Sequence, residues 1–466
     1  MSSLTGGFAK GDYLWALAAQ ALNVGAGLLL LPVILRYLDS GEVGLWFVFL
    51  ALGSLAQLLE LGFQPTLVRS TAYVYAGARS LSASGLPPSA ESNAGVSMEL
   101  LASVVSAAKT IYVRVAALAS FVMLGAGTAY VYSLIAGGKH AAAILAAWIA
   151  FSLGCIATFY FGYFTALLQG RGDVTRANQV TIAARGVFLV LGVVGLVLGF
   201  ELLGLGLASL VAGVVSRLIA YSFVYDDVRM KVVRATKVAP EGRDAVIRAL
   251  WPNARRMGAV QVGAFLMQRG NILIASSALG LAAAASYGMT VTVLSALLSL
   301  AMVMCQMRMP SLSAMQMSGV KRETAALYGR IVIETWSIFL VGLVVVLLFG
   351  DLGLAAISSR TSLLPDGQLA MLGVVLLLEL NHSVAASYLT TINKVPFVVA
   401  AVVSGVAVSL ISLLLVHPLG VAGLILAQGA VQLAYNNWKW PRVALRHLQV
   451  GPLDVLRLGG RELLGK

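Results

Sequence analysis

The side chains in this sequence that could do chemistry are few, and most stand in apolar surroundings. Arg269 lies mid-way along a long apolar stretch, with Gln261, Gln268 and Asn271 spread over a wide arc around it. Asn178, Thr181 and Arg185 fall at i, i+3 and i+7, which places them in one stripe on a helix. Glu379 and His382 stand at i and i+3 in another apolar stretch, beside Asn381 and Ser383. Gln57, Glu60 and Gln64 repeat the i, i+3, i+7 spacing, and Gln20, Asn23 and Gly27 share a face behind Asp12. A charge held in hydrocarbon is costly enough that each invites a functional reading.

Each group has two readings. Arg269 is either a cation facing a substrate path or a structural partner for a carboxylate on a neighbouring helix. Arg185, two turns from a polar flank, either faces a substrate or snorkels to the interface, and Arg217, nearer that flank, is expected to snorkel. Glu379 with His382 is suited to carrying protons, because burial lifts a carboxyl toward neutrality; the same pair serves equally as a helix-to-helix hydrogen bond or as the counter-charge of Arg269. Glu60 is an acid of the same kind, whereas Glu334, one turn after Arg330, needs only a local ion pair. Gln20 and Asn23 suit sugar hydroxyls or the joining of helices. The run Phe159, Tyr160, Phe161, Tyr163 and Phe164 reads as an interfacial aromatic belt.

Conventional active-site patterns are missing. The sequence has no Gly-rich Lys-Ser/Thr phosphate loop, its four His and two Cys have no metal-ligand spacing, and no nucleophile–base set can be drawn. The expectation is a protein that is not an enzyme and needs no cofactor or metal.

The elements that position these groups follow from composition. Of 466 residues, 59% are hydrophobic and 11% charged, under half the charged share of a soluble domain, about a quarter. A span needs roughly 20 apolar residues, and twelve are expected, near 13–35, 43–64, 113–136, 141–167, 178–199, 202–224, 256–279, 283–306, 328–349, 369–390, 396–416 and 419–438. The fold class is therefore an all-α integral membrane protein. The expected domains are a first six-helix lobe over 1–224, an amphipathic cytoplasmic linker over 225–255, a second six-helix lobe over 256–438 and a cytoplasmic tail over 439–466. In the linker, Val246, Ile247, Leu250 and Trp251 share a face beside Arg243, Arg248 and Arg255, the pattern of a helix lying on the membrane surface. With both termini cytoplasmic, only Arg36, Lys139 and Arg360 fall on the outer side. The net charge of +13 is thus a topology signal that sets basic loops against membrane lipid headgroups; it needs no nucleic acid.

Three stretches carry a family resemblance. The first is Leu31-Pro-Val-Ile-Leu-Arg-Tyr-Leu with Gly44-Leu-Trp, Leu59-Glu-Leu-Gly-Phe and Thr66-Leu-Val-Arg69. The second is Leu168-Gln-Gly-Arg-Gly-Asp-Val-Thr-Arg-Ala-Asn178; the third is Met309-Pro-Ser-Leu-Ser313 with Lys321-Arg-Glu-Thr-Ala-Ala-Leu-Tyr-Gly-Arg330. Together they resemble the polysaccharide transporters of the O-antigen flippase type, within the multidrug/oligosaccharidyl-lipid/polysaccharide exporter superfamily. The resemblance spans essentially the whole chain. It implies two six-helix lobes around a central cavity, alternating access, and transfer of an undecaprenyl-pyrophosphate-linked oligosaccharide between leaflets of a bacterial inner membrane, in company with polysaccharide assembly proteins. It also implies cavity cations, for which Arg269 and Arg185 are the available positions; the reading of the residues themselves adds Gln268, Gln261, Asn271, Asn178, Gln20 and Asn23 as polar cavity candidates and Glu379, His382 and Glu60 as candidate ion-coupling positions. Gln268 stands where relatives often have an acid, and the loop over 66–112 is longer than the family leads one to expect. The competing readings are an ion-coupled multidrug antiporter of the same superfamily, which would use Glu379 and Glu60, and a membrane glycan polymerase or ligase, for which the outer loop at 350–368 is too small.

Overall fold

The computed structural model describes residues 10–60, 62–82, 95–138, 140–318, 320–391 and 397–463. Among the described residues all regular structure is helical. The chain divides into two compact units, 1–38 with 49–261, and 39–48 with 262–466.

The first unit contains α1 (Lys10–Tyr37), the second half of α2 (Ser40–Gln57), α3 (Phe63–Tyr75), α4 (Met98–Ser120), α5 (Thr128–Ile135), α6 (Ala141–Tyr160), α7 (Tyr163–Gly170), α8 (Val174–Val197), α9 (Glu201–Tyr225), α10 (Val228–Ala235) and most of α11 (Pro240–Gln268). Its helices pack closely through small residues. A methyl group added to Gly206 of α9 would stand 2.4 Å from the Ala147 carbonyl of α6, so the two backbones touch there. Trp148 is fully buried, meets Phe49 edge-on at 5.0 Å, and donates its indole N–H to Thr128 Oγ1 at 3.0 Å.

The second unit contains α12 (Gly270–Ala278), α13 (Leu281–Ser318), α14 (Lys321–Ala356), α15 (Asp366–Thr391), α16 (Val398–Leu419), α17 (Val421–Ala434), α18 (Asn436–Leu448) and α19 (Pro452–Leu463). A core of Ala275, Ala284, Val416 and Leu424 joins α12, α13, α16 and α17. The segment after Lys439, read from the sequence as a tail, forms α18 and α19, which pack on α14 and α15.

Nine helical segments among the described residues are long and apolar enough to cross a membrane. They coincide with nine of the twelve expected spans. Of the other three, 13–35 is helical within α1, with its apolar stretch at Gly25–Tyr37. The remaining two, 256–279 and 419–438, are each interrupted, at Arg269 and at Tyr435. Large aliphatic side chains such as Leu218, Leu348 and Leu414 stand exposed on the spans, the solution a chain adopts when its outer solvent is hydrocarbon.

The linker departs from expectation. Residues 240–268 form one continuous helix through Pro252, so the basic amphipathic stretch is the entrance to the seventh span and not a separate surface helix. Val246 and Leu250 are buried, which draws that face into the first unit, and Trp251 packs on Phe63 at 5.9 Å.

Candidate functional site

In the second unit the polar residues converge on the interruption between α11 and α12. Arg269 occupies it with φ −114° and ψ −25°, and the Ile272 N–H bonds back to the Arg269 carbonyl at 3.1 Å, a tightened i+3 turn. The Arg269 side chain is half-buried and bonds to no described residue, by hydrogen bond or ion pair. Irregular backbone at membrane depth is tolerated where it lines a cavity or is enclosed by protein, and an uncommitted guanidinium beside it is a ready anion site.

The acid nearby is spent. Glu379, on α15 and buried, accepts from Gln268 Nε2 at 3.1 Å and from Gln428 Nε2 of α17 at 3.4 Å. Glu379 is therefore not the counter-charge of Arg269 in this structure; the glutamine one residue before the arginine takes the carboxylate instead. Nor do Glu379 and His382 pair with one another: His382 Nδ1 shares a hydrogen bond with Asn437 Oδ1 of α18 at 2.9 Å. Asn271 is fully buried, donating to Tyr287 Oη and to the Leu424 carbonyl, both at 3.4 Å, while its own side-chain carbonyl has no described partner. Around the second interruption Asn436 donates to Ser404 Oγ at 2.9 Å and to Gln432 Oε1 at 3.1 Å, and receives the Trp440 indole N–H at 3.0 Å. Gln261, exposed on α11, lies about two turns before Arg269 along the helix.

In the first unit Arg185 is exposed on α8, and Asn178 and Thr181 share its face half-buried. Thr181 returns its hydroxyl to the Ala177 carbonyl at 3.2 Å. The side chains of Gln20 and Asn23 lie outside the described residues. The stripe Gln57–Glu60–Gln64 does not exist as a helical face. α2 ends at Gln57, a 3₁₀ turn covers Leu58–Glu60, and Gly62 takes φ +70° before α3 begins. Glu60 instead accepts a hydrogen bond from the Tyr112 phenol, with Arg217 within electrostatic reach.

Arg217 does not snorkel. Its guanidinium turns inward to the interruption between α6 and α7, bonding the Phe161 carbonyl at 3.2 Å and Thr165 Oγ1 at 3.5 Å. A carbonyl freed at a helix end needs a donor, and a cation also suits the negative end of the helix dipole. The neighbouring aromatic run is a core cluster more than a belt. Phe159, Tyr163 and Phe164 are buried, and Phe164 packs against Tyr221 and Tyr225. Glu334 is structural as expected, held by Arg330 at 2.9 Å and also by Arg308 of α13 at 2.9 Å.

The second resemblance motif is a clamp at the end of α9. Arg171 donates to the Phe223 and Val224 carbonyls at 2.8 and 3.2 Å and to Asp173 at 2.6 Å. Tyr75 donates to Asp227 at 3.4 Å; burial, with the Asp227 charge beside it, pushes the Tyr75 phenol up to about 12. Sequence reading missed Gln428, Asn437, Asn436 and Tyr287. They sit on helices other than those of Asn271, Ser404, Glu379 and His382, 16 to 55 residues along the chain, and no helical period announces such a pairing.

The sequence matches no family model and no curated protein. Solved structures match along nearly the whole chain. An inward-facing multidrug resistance MATE family transporter of the MOP superfamily superposes with a TM-score of 0.69 at 16% identity, covering 94% of this chain and 99% of that one. The lipid II flippase MurJ, in an inward closed conformation, gives 0.61 at 12% identity over 97% and 91%. A MOP superfamily transporter from Pyrococcus furiosus, described as having a binding pocket of reverse polarity that suggests a different function, gives 0.53 at 14% over 95% of each chain. At these identities the likeness is one of fold: an all-helical membrane protein with the twelve-span, two-lobe MOP architecture.

Proposed function

We propose that this chain translocates an undecaprenyl-pyrophosphate-linked oligosaccharide, such as an O-antigen, capsule or exopolysaccharide repeat unit, from the inner to the outer leaflet of a bacterial inner membrane. Both termini lie on the cytoplasmic side in this reading. The observation that carries it is the imbalance around residue 269: the Arg269 guanidinium is bonded to no described residue, while Glu379, the acid that the adjacent Gln268 contacts, is held by Gln268 and Gln428. A diphosphate needs a cation whose planar donors remain available, and Arg offers a bidentate fork to phosphate oxygens. The lipid tail can stay in hydrocarbon, so only the polar head needs a wet, hydrogen-bonding path. Gln261, exposed about two turns earlier on α11, suits sugar hydroxyls, as Asn178 does on the Arg185 face.

Ion-coupled multidrug antiport, the alternative suggested by the multidrug resistance transporter of this fold, would want an available carboxylate for a cationic drug. Glu379 accepts from two glutamines and Glu60 from Tyr112, so neither acid favours that reading. The P. furiosus transporter gives a precedent, within the fold, for a pocket whose polarity departs with function. The test is complementation of a strain deleted for the gene. Arg269→Ala and Arg185→Ala abolish surface glycan while protein remains at normal levels in the membrane. Normal glycan in both variants, or drug hypersensitivity of the deletion strain with glycan intact, overturns the proposal.

A further inference from the structure

A cavity of about 840 Å³ opens in the second unit between α14, α15, α18 and α19, within the range of about 300–1,000 Å³ common for small-ligand sites. Its walls are helical stripes. On α14, Tyr328, Val332 and Trp336 recur every fourth residue and so run about 12 Å along one face. On α18, Trp438, Arg442, Leu445 and Arg446 share one face at spacings of three and four, and Gln449, just past the helix end, joins the lining. The floor is set by α19, whose backbone touches α14: a methyl group on Gly329 would meet the Val455 carbonyl at 2.0 Å, and one on Gly459 would meet Gly329 at 2.2 Å. That contact fixes where the cavity lies, because any larger side chain would part the two helices.

The chemistry of the wall is graded. Arg442 and Arg446, one turn apart and exposed, pair with no described residue, although like charges at i, i+4 repel. The acid of the adjoining helix, Asp454, faces Arg457 at 4.0 Å instead. Away from the arginines the lining is mostly aromatic and aliphatic, with Asn381 and Gln449 among its polar side chains, and Trp336 holds a buried indole N–H without an acceptor among the described residues. A cationic rim above an apolar slot fits an amphiphile with an anionic head and a hydrocarbon tail.

We infer that this cavity is a binding site for an anionic phospholipid, its phosphate on Arg442 and Arg446 and an acyl chain between α14 and α18. The site shares no residue with the Arg269 region and does not depend on the function proposed above. Its occupant comes from the membrane in which the protein already sits, and two arginines facing a phosphate-headed lipid relieve their mutual repulsion.

The full chain, purified in detergent, is exposed to mixed micelles carrying phosphatidylglycerol or, separately, phosphatidylcholine, and retained lipid is counted by mass spectrometry after extensive washing. Phosphatidylglycerol is retained at about one molecule per chain and raises Tm; phosphatidylcholine does neither. Arg442→Gln with Arg446→Gln lowers phosphatidylglycerol retention by at least about tenfold, each basic residue at an anionic surface being worth roughly fivefold. Leu445→Trp, which fills the slot and leaves both charges, also removes the bound lipid. Equal retention of the two lipids, or unchanged phosphatidylglycerol in both variants, overturns the site. If the double variant does not fold, the comparison of lipids on the unaltered protein and on Leu445→Trp decides. Loss of lipid with transport of glycan intact separates this inference from the fate of the Arg269 proposal.

Discussion

Arg217 and Arg269 are both arginines within spans, and each attends an interruption in a helix, yet they are used in opposite ways. Arg217 reaches from α9 to the gap between α6 and α7 and commits Nη1 to the Phe161 carbonyl and the Thr165 hydroxyl, while its buried Nε has no partner among the described residues. Arg269 stands in the gap itself, and its donors meet no described residue. The cost of carrying a cation through hydrocarbon is similar for both. What separates a structural arginine from one that can receive a ligand is therefore the state of its hydrogen-bonding capacity, which position in a span does not reveal.

The two substitutions to alanine should fail in different assays, and that contrast is the sharpest way to break the comparison. Arg269→Ala removes a charged donor pair worth about 1.5–3 kcal/mol to a bound anion, so transport of lipid-linked glycan falls on the order of 10–100-fold at unchanged Tm. Arg269→Lys keeps the charge but loses the planar fork and recovers only part of the activity. Arg217→Ala instead strands the Phe161 carbonyl and leaves Glu60 without its nearby cation, lowering stability by about 2–3 kcal/mol. It is read as a fall in Tm and in membrane protein level, with transport per molecule preserved. Reversed outcomes, a stability loss at 269 and a clean transport loss at 217, would show that the two arginines have been assigned the wrong way round.

The acid of the second unit gives a smaller effect. Glu379 already sits among amide donors, and a glutamine there can keep both contacts if the Gln428 amide turns over. Glu379→Gln therefore changes transport by less than about threefold, within the range of a neutral hydrogen-bond exchange. Transport into vesicles is likewise indifferent to an imposed pH gradient. A gradient-driven rate that disappears in Glu379→Gln would restore proton coupling to this residue.

Much of the fold was legible because it rests on composition and length: nine expected spans coincide with apolar helices, and a run of about twenty apolar residues needs no partner to be recognised. The site was legible only in part. Arg269 announces itself as a charge in an apolar stretch, but its lack of a partner depends on Gln268 reaching Glu379, a contact 111 residues along the chain. Of the readings open for Glu379 and His382, the structure shows helix-to-helix hydrogen bonds, but to separate partners, because spacing of three shows that two groups share a face and not what faces them; Asn437 and Gln428 came from α18 and α17. The stripe through Glu60 failed because the chain passes from α2 into a 3₁₀ turn at Leu58–Glu60 and then into the left-handed region at Gly62, which together end the helical period on which the spacing argument stood. The aromatic run failed for a related reason: composition marks an interface, but Phe164 turned toward Tyr221 and Tyr225, which the sequence holds some 60 residues away. A signal for α18 is present in the recurrence of Trp438, Arg442, Leu445 and Arg446 every three or four residues, but the boundary expected at 438/439 divides it between the last span and the tail.

The acid of the first unit supplies the smallest and most discriminating change. Tyr112 donates to Glu60 in a buried setting, so Tyr112→Phe leaves a carboxylate short of one donor and lowers stability by about 1–2 kcal/mol. Adding Glu60→Gln removes the charge that needed the donor, and the double variant regains part of that loss, a coupling that a mutant cycle measures directly. Transport stays close to normal in all three proteins if Glu60 only ties α4 to the end of α2. Were Glu60 an ion-coupling acid, Glu60→Gln alone would stop transport while leaving Tm intact, and the first unit would hold an acid put to work where the second has one tied down.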